Sequence, residues 1–435
     1  MKHGGIISAA IEVIAEVETR HRPATEALRD WGLSNRFAGS GDRAAIGNLV
    51  FDALRRRASI AWRMGADTPR ALVLGAYGFI WGNAPEEIEA VLANDSHAPA
   101  GLDECERAAL ANPVDDDAPP HIRGDYPDWL RDSLERAFGG AASEEGRALA
   151  ERAPLDLRVN TLKASRDKVL KALARFTPVA TSFSKEGVRI QVGHGPARPP
   201  HVTSEAGYRK GWFEIQDEAS QLVARLAGAE RGMQVADVCA GAGGKTLALA
   251  AAMGNTGQVH AWDADRRRLA NIHERIQRAG ARNVQVLKPG EAAALESLAG
   301  RMNIVLVDAP CSGSGTWRRR PDAKWRLSER ALAERQAEQA QALETGAPLV
   351  RPGGRLVYAT CSVLPEENED QIARFLEAHP EFTPTEPQRS AAGSMEAETA
   401  ERFIASVHPG SVGILMTPLR TGTDGFFVSV LERRG

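Results

Sequence analysis

Two of the four cysteines in this 435-residue chain stand where α/β enzymes keep their chemistry. Cys361 directly follows the apolar run GRLVYAT (354–360), and Cys311 lies in VDAPCSGSG (307–315), again just after an apolar run. A cysteine at a strand end is either a small core filler or a nucleophile. Asp308, three residues before Cys311, is either a helix cap or a site acid, and the Pro310-Cys311 pair with a glycine-rich loop behind it favours the site. Two thiols and a carboxylate fit a thiolate working on a poorly reactive substrate.

Two further patterns suggest what sits beside them. DVCAGAGGKT (237–246) passes from a strand through glycines into a helix start, which lets backbone N–H groups approach a ligand. It contains Gly-Lys-Thr, but a phosphate loop would need its first glycine at position 239, where Cys239 stands. Asp263 ends the next apolar run, about twenty residues on, the spacing at which doubly wound folds hold a ribose diol. Loop and acid together point to a nucleoside-containing cofactor without requiring a phosphate. Trp317, Arg318, Arg319, Arg320, Lys324, Trp325 and Arg326 then combine five cations with two stacking surfaces, the make-up of an RNA contact.

These residues need a scaffold that converges them. Short apolar runs at 235–238, 258–262, 284–287, 304–307 and 355–359 read as strands, with helices at 266–279 and 328–349 and a last strand at 425–431. Continuous apolar strands alternating with helices imply a parallel sheet covered on both faces. Strand-end loops on one edge of such a sheet surround one crevice, so Gly241, Asp263, Asp308, Cys311 and Cys361 are expected to meet.

Upstream the texture differs. Strands at 157–162 and 187–192 with a helix between them make a small α+β unit, and residues 1 to about 140 show helical periodicity. The expected organisation is a helical domain over 1–140, a small α+β domain over 141–210 and an α/β domain over 211–435. NPVDDDAPP (112–120) reads as a linker, and 384–400 as a surface excursion. Arg55, Arg56 and Arg57 are expected on a solvated helix face or in RNA contact.

Composition sets the bounds. Hydrophobic residues are 43%, charged residues 26%, and the formal net charge is -3, so no global basic field marks a nucleic-acid partner. The cysteines form no C-x-x-C pair, which argues against a disulfide framework or zinc site and for reduced thiols in a cytoplasmic protein; Cys105 is read as structural. Glu12 and Glu16 break the apolar amino-terminal stretch, and no run approaches the roughly 18 apolar residues of a membrane span.

Taken together, GWFEIQDEASQLVA (211–224), DVCAGAGGKT, DAPCSGSGTWRRRPDAKW (308–325), YATCSVLPEENEDQI (358–372) and DGFFVSVL (424–431) resemble the RsmB/Sun-type RNA 5-methylcytosine methyltransferases. GDRAAIGNLVFDALRRR (41–57) is similar to the NusB-like RNA-binding domain of the bacterial RsmB branch, and the small α+β unit is then expected to be RRM-like. The resemblance implies a Rossmann-like catalytic domain that uses S-adenosylmethionine. It places the cofactor on Cys239, Ala240, Gly241, Ala242, Gly243, Gly244 and Lys245, with Asp263 on the ribose and Arg268 and Asp308 also at the cofactor. It makes Cys361 the nucleophile, Cys311 the residue that helps release product, and Asp308 and Lys245 the other catalytic groups.

Two departures stand out: Gly241-Ala242 replaces the usual Ala-Pro, and Glu291 is the substitute for the acid usually found near the adenine. The expected activity is cytosine-C5 methylation of ribosomal RNA through a covalent Cys–C6 adduct, by a monomer. Transfer RNA as substrate, or an RNA-binding assembly factor with a vestigial cofactor site, are the alternatives. A DNA methyltransferase would use the Pro-Cys cysteine as nucleophile and carry a Glu-Asn-Val motif, which is missing here.

Overall fold

The computed structural model describes residues 1–112, 117–288, 293–410 and 412–435. Residues 113–116 of the expected linker, and Glu291, lie outside this set. The chain divides into two compact units. One comprises Met1–Ala153, Val192–Pro199 and Thr316–Leu327; the other comprises Pro154–Gln191, Pro200–Gly315 and Ser328–Gly435. Among the described residues no helix is long and apolar enough to cross a membrane.

The first unit is helical. The periodicity of Ile6, Ile7, Ala10 and Ile14 builds the helix His3–Arg20, whose buried face packs with Ile46, Leu49, Val50 and Leu54 of the helix Ser40–Arg55. Cys105 is exposed on the helix Glu104–Ala111 and fills no core position.

The arginine run forms neither a solvated face nor a free basic patch. Arg55 donates to Asp52 (2.9 Å) and to the Arg318 carbonyl (2.9 Å), Arg56 pairs with Glu151, and Arg57 pairs with Glu18 (2.9 Å) and Asp67 (3.0 Å). Buried Asp52 also accepts from Arg152 (2.8 Å) and Trp81 (2.9 Å), so these guanidiniums hold the unit together. The segment Thr316–Leu327 belongs to this unit, and it corrects a second expectation. Trp317, Arg318 and Lys324 are buried, so they offer RNA neither a ring face nor a cation. Lys324 donates to the Arg55 carbonyl (3.0 Å) and to that of Asp125, and Trp325 to the Leu54 carbonyl (2.6 Å). Burial lowers the Lys324 pKa to about 7. Arg320 and Arg326 are exposed, and Arg319 is half-buried.

The second unit contains two sheets. The small one has strands β1 (Leu155–Val159), β2 (Val179–Ala180), β3 (Gly187–Ile190) and β4 (Phe213–Ile215) in the order β2-β3-β1-β4, all antiparallel. The α/β domain expected from residue 211 therefore gives its first strand to the small sheet, because Phe213 pairs with Val159 and packs into that sheet's core.

The large sheet carries β5 (Gln234–Asp237), β6 (Gln258–Ala261), β7 (Val284–Val286), β8 (Met302–Asp308), β9 (Val350–Thr360), β10 (Phe382–Pro384), β11 (His408–Pro409), β12 (Ile414–Met416) and β13 (Phe426–Arg433). The order is β11-β12-β13-β9-β8-β5-β6-β7, with β10 paired to β13. Strands β5 to β9 are parallel, as the apolar runs imply, and β13 joins β9 antiparallel. From β5 the order runs outward to β6 and β7 on one side and to β8 and β9 on the other. The crevice at the carboxyl ends of β5 and β8 is therefore the switch point where such sheets bind ligands.

The segment 384–400 is not a surface excursion. It forms the helices Pro387–Ala392 and Ala397–Ser406, and Ala391, Met395, Ala400 and Phe403 join the sheet's core. Its polar composition hid a few apolar residues at helical spacing. Met395→Ala should therefore cost about 2 kcal/mol, read as a lower urea midpoint; a midpoint unchanged from wild type would show that this segment carries no core load.

Candidate active site

Four parallel strands present their last residues on one edge. Asp237 ends β5 in register with Ala261 of β6 and Leu306 of β8, and Asp308 ends β8 in register with Ala359 of β9. One residue beyond β9 comes Cys361, three beyond β8 comes Cys311, and their Sγ atoms lie 3.3 Å apart. Both thiols are partly buried, and Cys361 packs against the sheet's core. The residue that looked like a core filler or a nucleophile thus borders the core and meets the second thiol.

What brings the thiols together is a set of buried hydrogen bonds between the two loops. Gly315 N donates to the Cys361 carbonyl (3.0 Å), Ser314 Oγ meets Ser362 Oγ (2.9 Å), and Val363 N donates to Ser314 Oγ (2.9 Å). Fully buried Glu367 accepts from Ser312 N (2.7 Å), Ser312 Oγ and Gln339 Nε2 (3.0 Å). Asn368 accepts from Thr360 Oγ1 (2.6 Å) and donates to the Ser362 carbonyl (3.0 Å). Gly315 lies against Gly425, where a Cβ would come within 2.0 Å of the Gly425 carbonyl oxygen, so no other residue fits.

Sequence reasoning gave Glu367, Asn368 and Gln339 no role. The Pro365-Glu-Glu-Asn368 run was visible, but nothing local shows that Glu367 turns inward.

The hydrogen bond with Cys361, burial and the charges of Cys361 and Glu367 push the Cys311 thiol well above the ordinary range. Beside them Lys245 Nζ pairs with Asp308 Oδ2 at 2.7 Å and lies over the Phe426 ring at 5.0 Å from its centroid.

The glycine-rich loop lies between β5 and the helix Gly244–Ala252. Gly241 and Gly243 adopt φ of +51° and +82°, which glycine takes without strain. Gly241 N donates to Asp263 Oδ2 (3.0 Å) and Asp265 N to Asp263 Oδ1 (2.9 Å), which fixes the carboxylate beside the loop. Open space lies where a Cβ of residue 241 would project. Lys245 is committed to Asp308 rather than to the loop, which speaks against a phosphate cradle. The arrangement suits S-adenosylmethionine, whose ribose diol needs a fixed acceptor and which brings no phosphate. Arg268 is exposed and donates its backbone N–H to Asp265. Burial pushes the Cys239 thiol up, which makes it inert as a nucleophile.

The switch point of a doubly wound sheet thus carries two thiols in contact, a Lys–Asp pair and a glycine-rich loop with a fixed carboxylate beside it. Residues 224–432 match the family model described as 16S rRNA methyltransferase RsmB/F, and residues 126–194 match the ferredoxin-like domain of RsmF/B-like methyltransferases. The ribosomal RNA small subunit methyltransferase B of Erwinia tasmaniensis is 30% identical over 427 residues, which cover 92% of this chain and 93% of that protein. The probable ribosomal RNA small subunit methyltransferase B of Synechocystis sp. is 35% identical over 316 residues, covering 71% and 67%. The chain belongs to the RsmB/F family.

In fold it is similar to the crystal structure of PH0851, with a TM-score of 0.74 and 24% identity over 100% of this chain and 99% of that one. A methyltransferase homologue from Pyrococcus horikoshii gives 0.58 and 26%, covering 72% and 97%.

Buried Asp237, which accepts from Thr246 Oγ1 (2.7 Å), carries a pKa raised by burial to about 7. An unfolded aspartate titrates near 3.9, so the folded state holds the proton more tightly. That contribution to stability is complete below about pH 4 and is lost as pH rises through about 7. Asp237→Asn should therefore flatten the fall in Tm between about pH 5 and 8; parallel Tm–pH curves for the two proteins would rule out this titration.

Proposed function

We propose that this protein methylates C5 of a cytidine in small-subunit ribosomal RNA, with Cys361 as nucleophile. The observation that carries the reading is the 3.3 Å contact between the two thiols beside the Lys245–Asp308 pair. The named relatives, which are ribosomal RNA small subunit methyltransferases B, support the choice of RNA. The protein acts as a monomer in the cytoplasm.

Cytosine C5 is too weak a nucleophile to take a methyl group unaided. The Cys361 thiolate adds to C6, which converts the C5–C6 unit into an enamine with electron density at C5. S-adenosylmethionine, held by the loop Cys239–Lys245 with Asp263 at its ribose, supplies the electrophilic methyl group. The Lys245–Asp308 pair offers a donor and an acceptor to the N3 and N4 edge, and stabilises the charge that builds there when the thiolate adds. Lys245 also compensates the Asp308 carboxylate, which would otherwise oppose a thiolate in the same crevice.

Once C5 carries the methyl group, a base removes the C5 proton and the C6–S bond breaks. Cys311, protonated and in contact with Cys361, lends its S–H to the departing thiolate. The target base must leave any stack to enter the crevice, at a cost of a few kcal/mol.

Cys361→Ala should abolish both methylation and the covalent adduct with 5-fluorocytidine-substituted RNA, whereas Cys311→Ala should accumulate a protein–RNA species stable in denaturing gels. An adduct that persists in Cys361→Ala would reverse the two roles. Bisulfite sequencing of ribosomal and transfer RNA from cells with and without the protein would locate the target; sites confined to transfer RNA would reject the ribosomal substrate.

A further inference from the structure

The cofactor loop is held from outside the large sheet. Ala242 lies between Gly241 and Gly243, both in the left-handed region, so its peptide has unusual freedom unless something restrains it. The restraint is Arg275 on the helix Ile272–Ala279, whose Nη1 donates to the Ala242 carbonyl at 2.8 Å. The same guanidinium is seated on Glu214 of β4, with Nη2 and Nε donating to Oε2 at 2.8 and 3.2 Å. Glu214 is buried and belongs to the small sheet.

A second arginine repeats the arrangement two residues further along. Buried Arg158 of β1, the cross-strand partner of Glu214, donates to Gln216 Oε1 (2.6 Å) and reaches the Gly244 carbonyl (3.4 Å). Two guanidiniums anchored in the small sheet thus hold two carbonyls of the loop. A carbonyl engaged by a fixed cation keeps its peptide plane from rotating, and that plane sets where the neighbouring N–H groups point.

We propose that Arg275, seated on Glu214, is a positioning residue that sets cofactor affinity by fixing the Ala242 peptide, so that the small sheet is part of the cofactor site. The proposal rests on the assignment of the loop Cys239–Lys245 to S-adenosylmethionine. The molecule contains its own control. Arg278 lies one turn along the same helix and donates to the same Glu214 carboxylate (2.7 and 2.9 Å). Loss of Arg278 weakens the tie between helix and sheet but removes no bond to Ala242.

The test is calorimetric titration of the full chain with S-adenosylmethionine. Arg275→Ala should raise Kd about tenfold, the loss expected for one charge-assisted hydrogen bond, while kcat at saturating cofactor and KM for RNA stay near wild type. Arg278→Ala should leave Kd within about twofold. Arg275→Lys keeps the charge opposite Glu214 but lacks the second arm, so it should share the loss; wild-type affinity in this variant overturns the proposal. Equal weakening by Arg275→Ala and Arg278→Ala also overturns it, since both would then act only as ties between sheets. Asp263→Ala separates the two levels. If it abolishes binding while Arg275→Ala binds normally, the positioning role fails alone; if Asp263→Ala itself binds normally, the loop assignment fails.

Discussion

Glu367 is the constraint on which the site depends. Its carboxylate lies fully buried where the Cys311 loop, the Cys361 loop and the helix Glu329–Gly346 meet, and it accepts from Ser312 and Gln339. A carboxylate in that position costs several kcal/mol unless its lone pairs are met, and the loop following Pro310 meets them with a backbone N–H and a hydroxyl. The thiols are therefore brought together by the solvation needs of a buried acid. Burial raises the Glu367 pKa, and its charge in turn disfavours the Cys311 thiolate. One buried group thus sets the geometry of the thiol pair and adds to what disfavours a thiolate at Cys311.

Much of this was legible in the chain. The parallel strands were marked by short apolar runs, and Asp263, Asp308, Cys311 and Cys361 were marked by their place at strand ends, because that edge of a doubly wound sheet is where loops converge. Lys245 and Asp308 were each marked as site groups, but their 2.7 Å pairing shows only in the fold. Other features were hidden because composition does not show direction. WRRRPDAKWR (317–326) has the make-up of an RNA contact, yet Lys324 and Trp325 spend their donors on backbone carbonyls of Arg55, Asp125 and Leu54. Arg56 and Arg57 find carboxylates distant in sequence, Glu151 and Glu18, which no local pattern can show. In the same way GWFEIQDEAS supplies anchors rather than site groups: Glu218 accepts from the backbone of Phe183 and Ser184, and Gln216 holds Arg158.

The small sheet and the large one share more than a linker. Asn160 Nδ2 donates to the carbonyls of Gly211 and Ala279, both at 2.8 Å, and buried Asp156 takes both arms of Arg189 at 2.7 Å while accepting from Glu218 N. Removing one partner of such a buried set leaves charge or polar atoms unmet, which costs more than the bond itself contributed. This explains why a stretch rich in charged residues runs through the junction of two sheets.

The place of β13 has a consequence for the order of assembly. This strand pairs along β9, brings Phe426 against Lys245 and sets Gly425 against the loop that follows Cys311, yet it is made after every other element of the site. A ribosome delivers both thiol loops, the cofactor loop and Asp263 well before the strand that braces them. Until β13 has emerged, β9 presents an unpaired edge, and the glycine at 315 lacks the backbone it was shaped to meet. The bracing of both thiol loops therefore waits on a strand that follows them all in the chain.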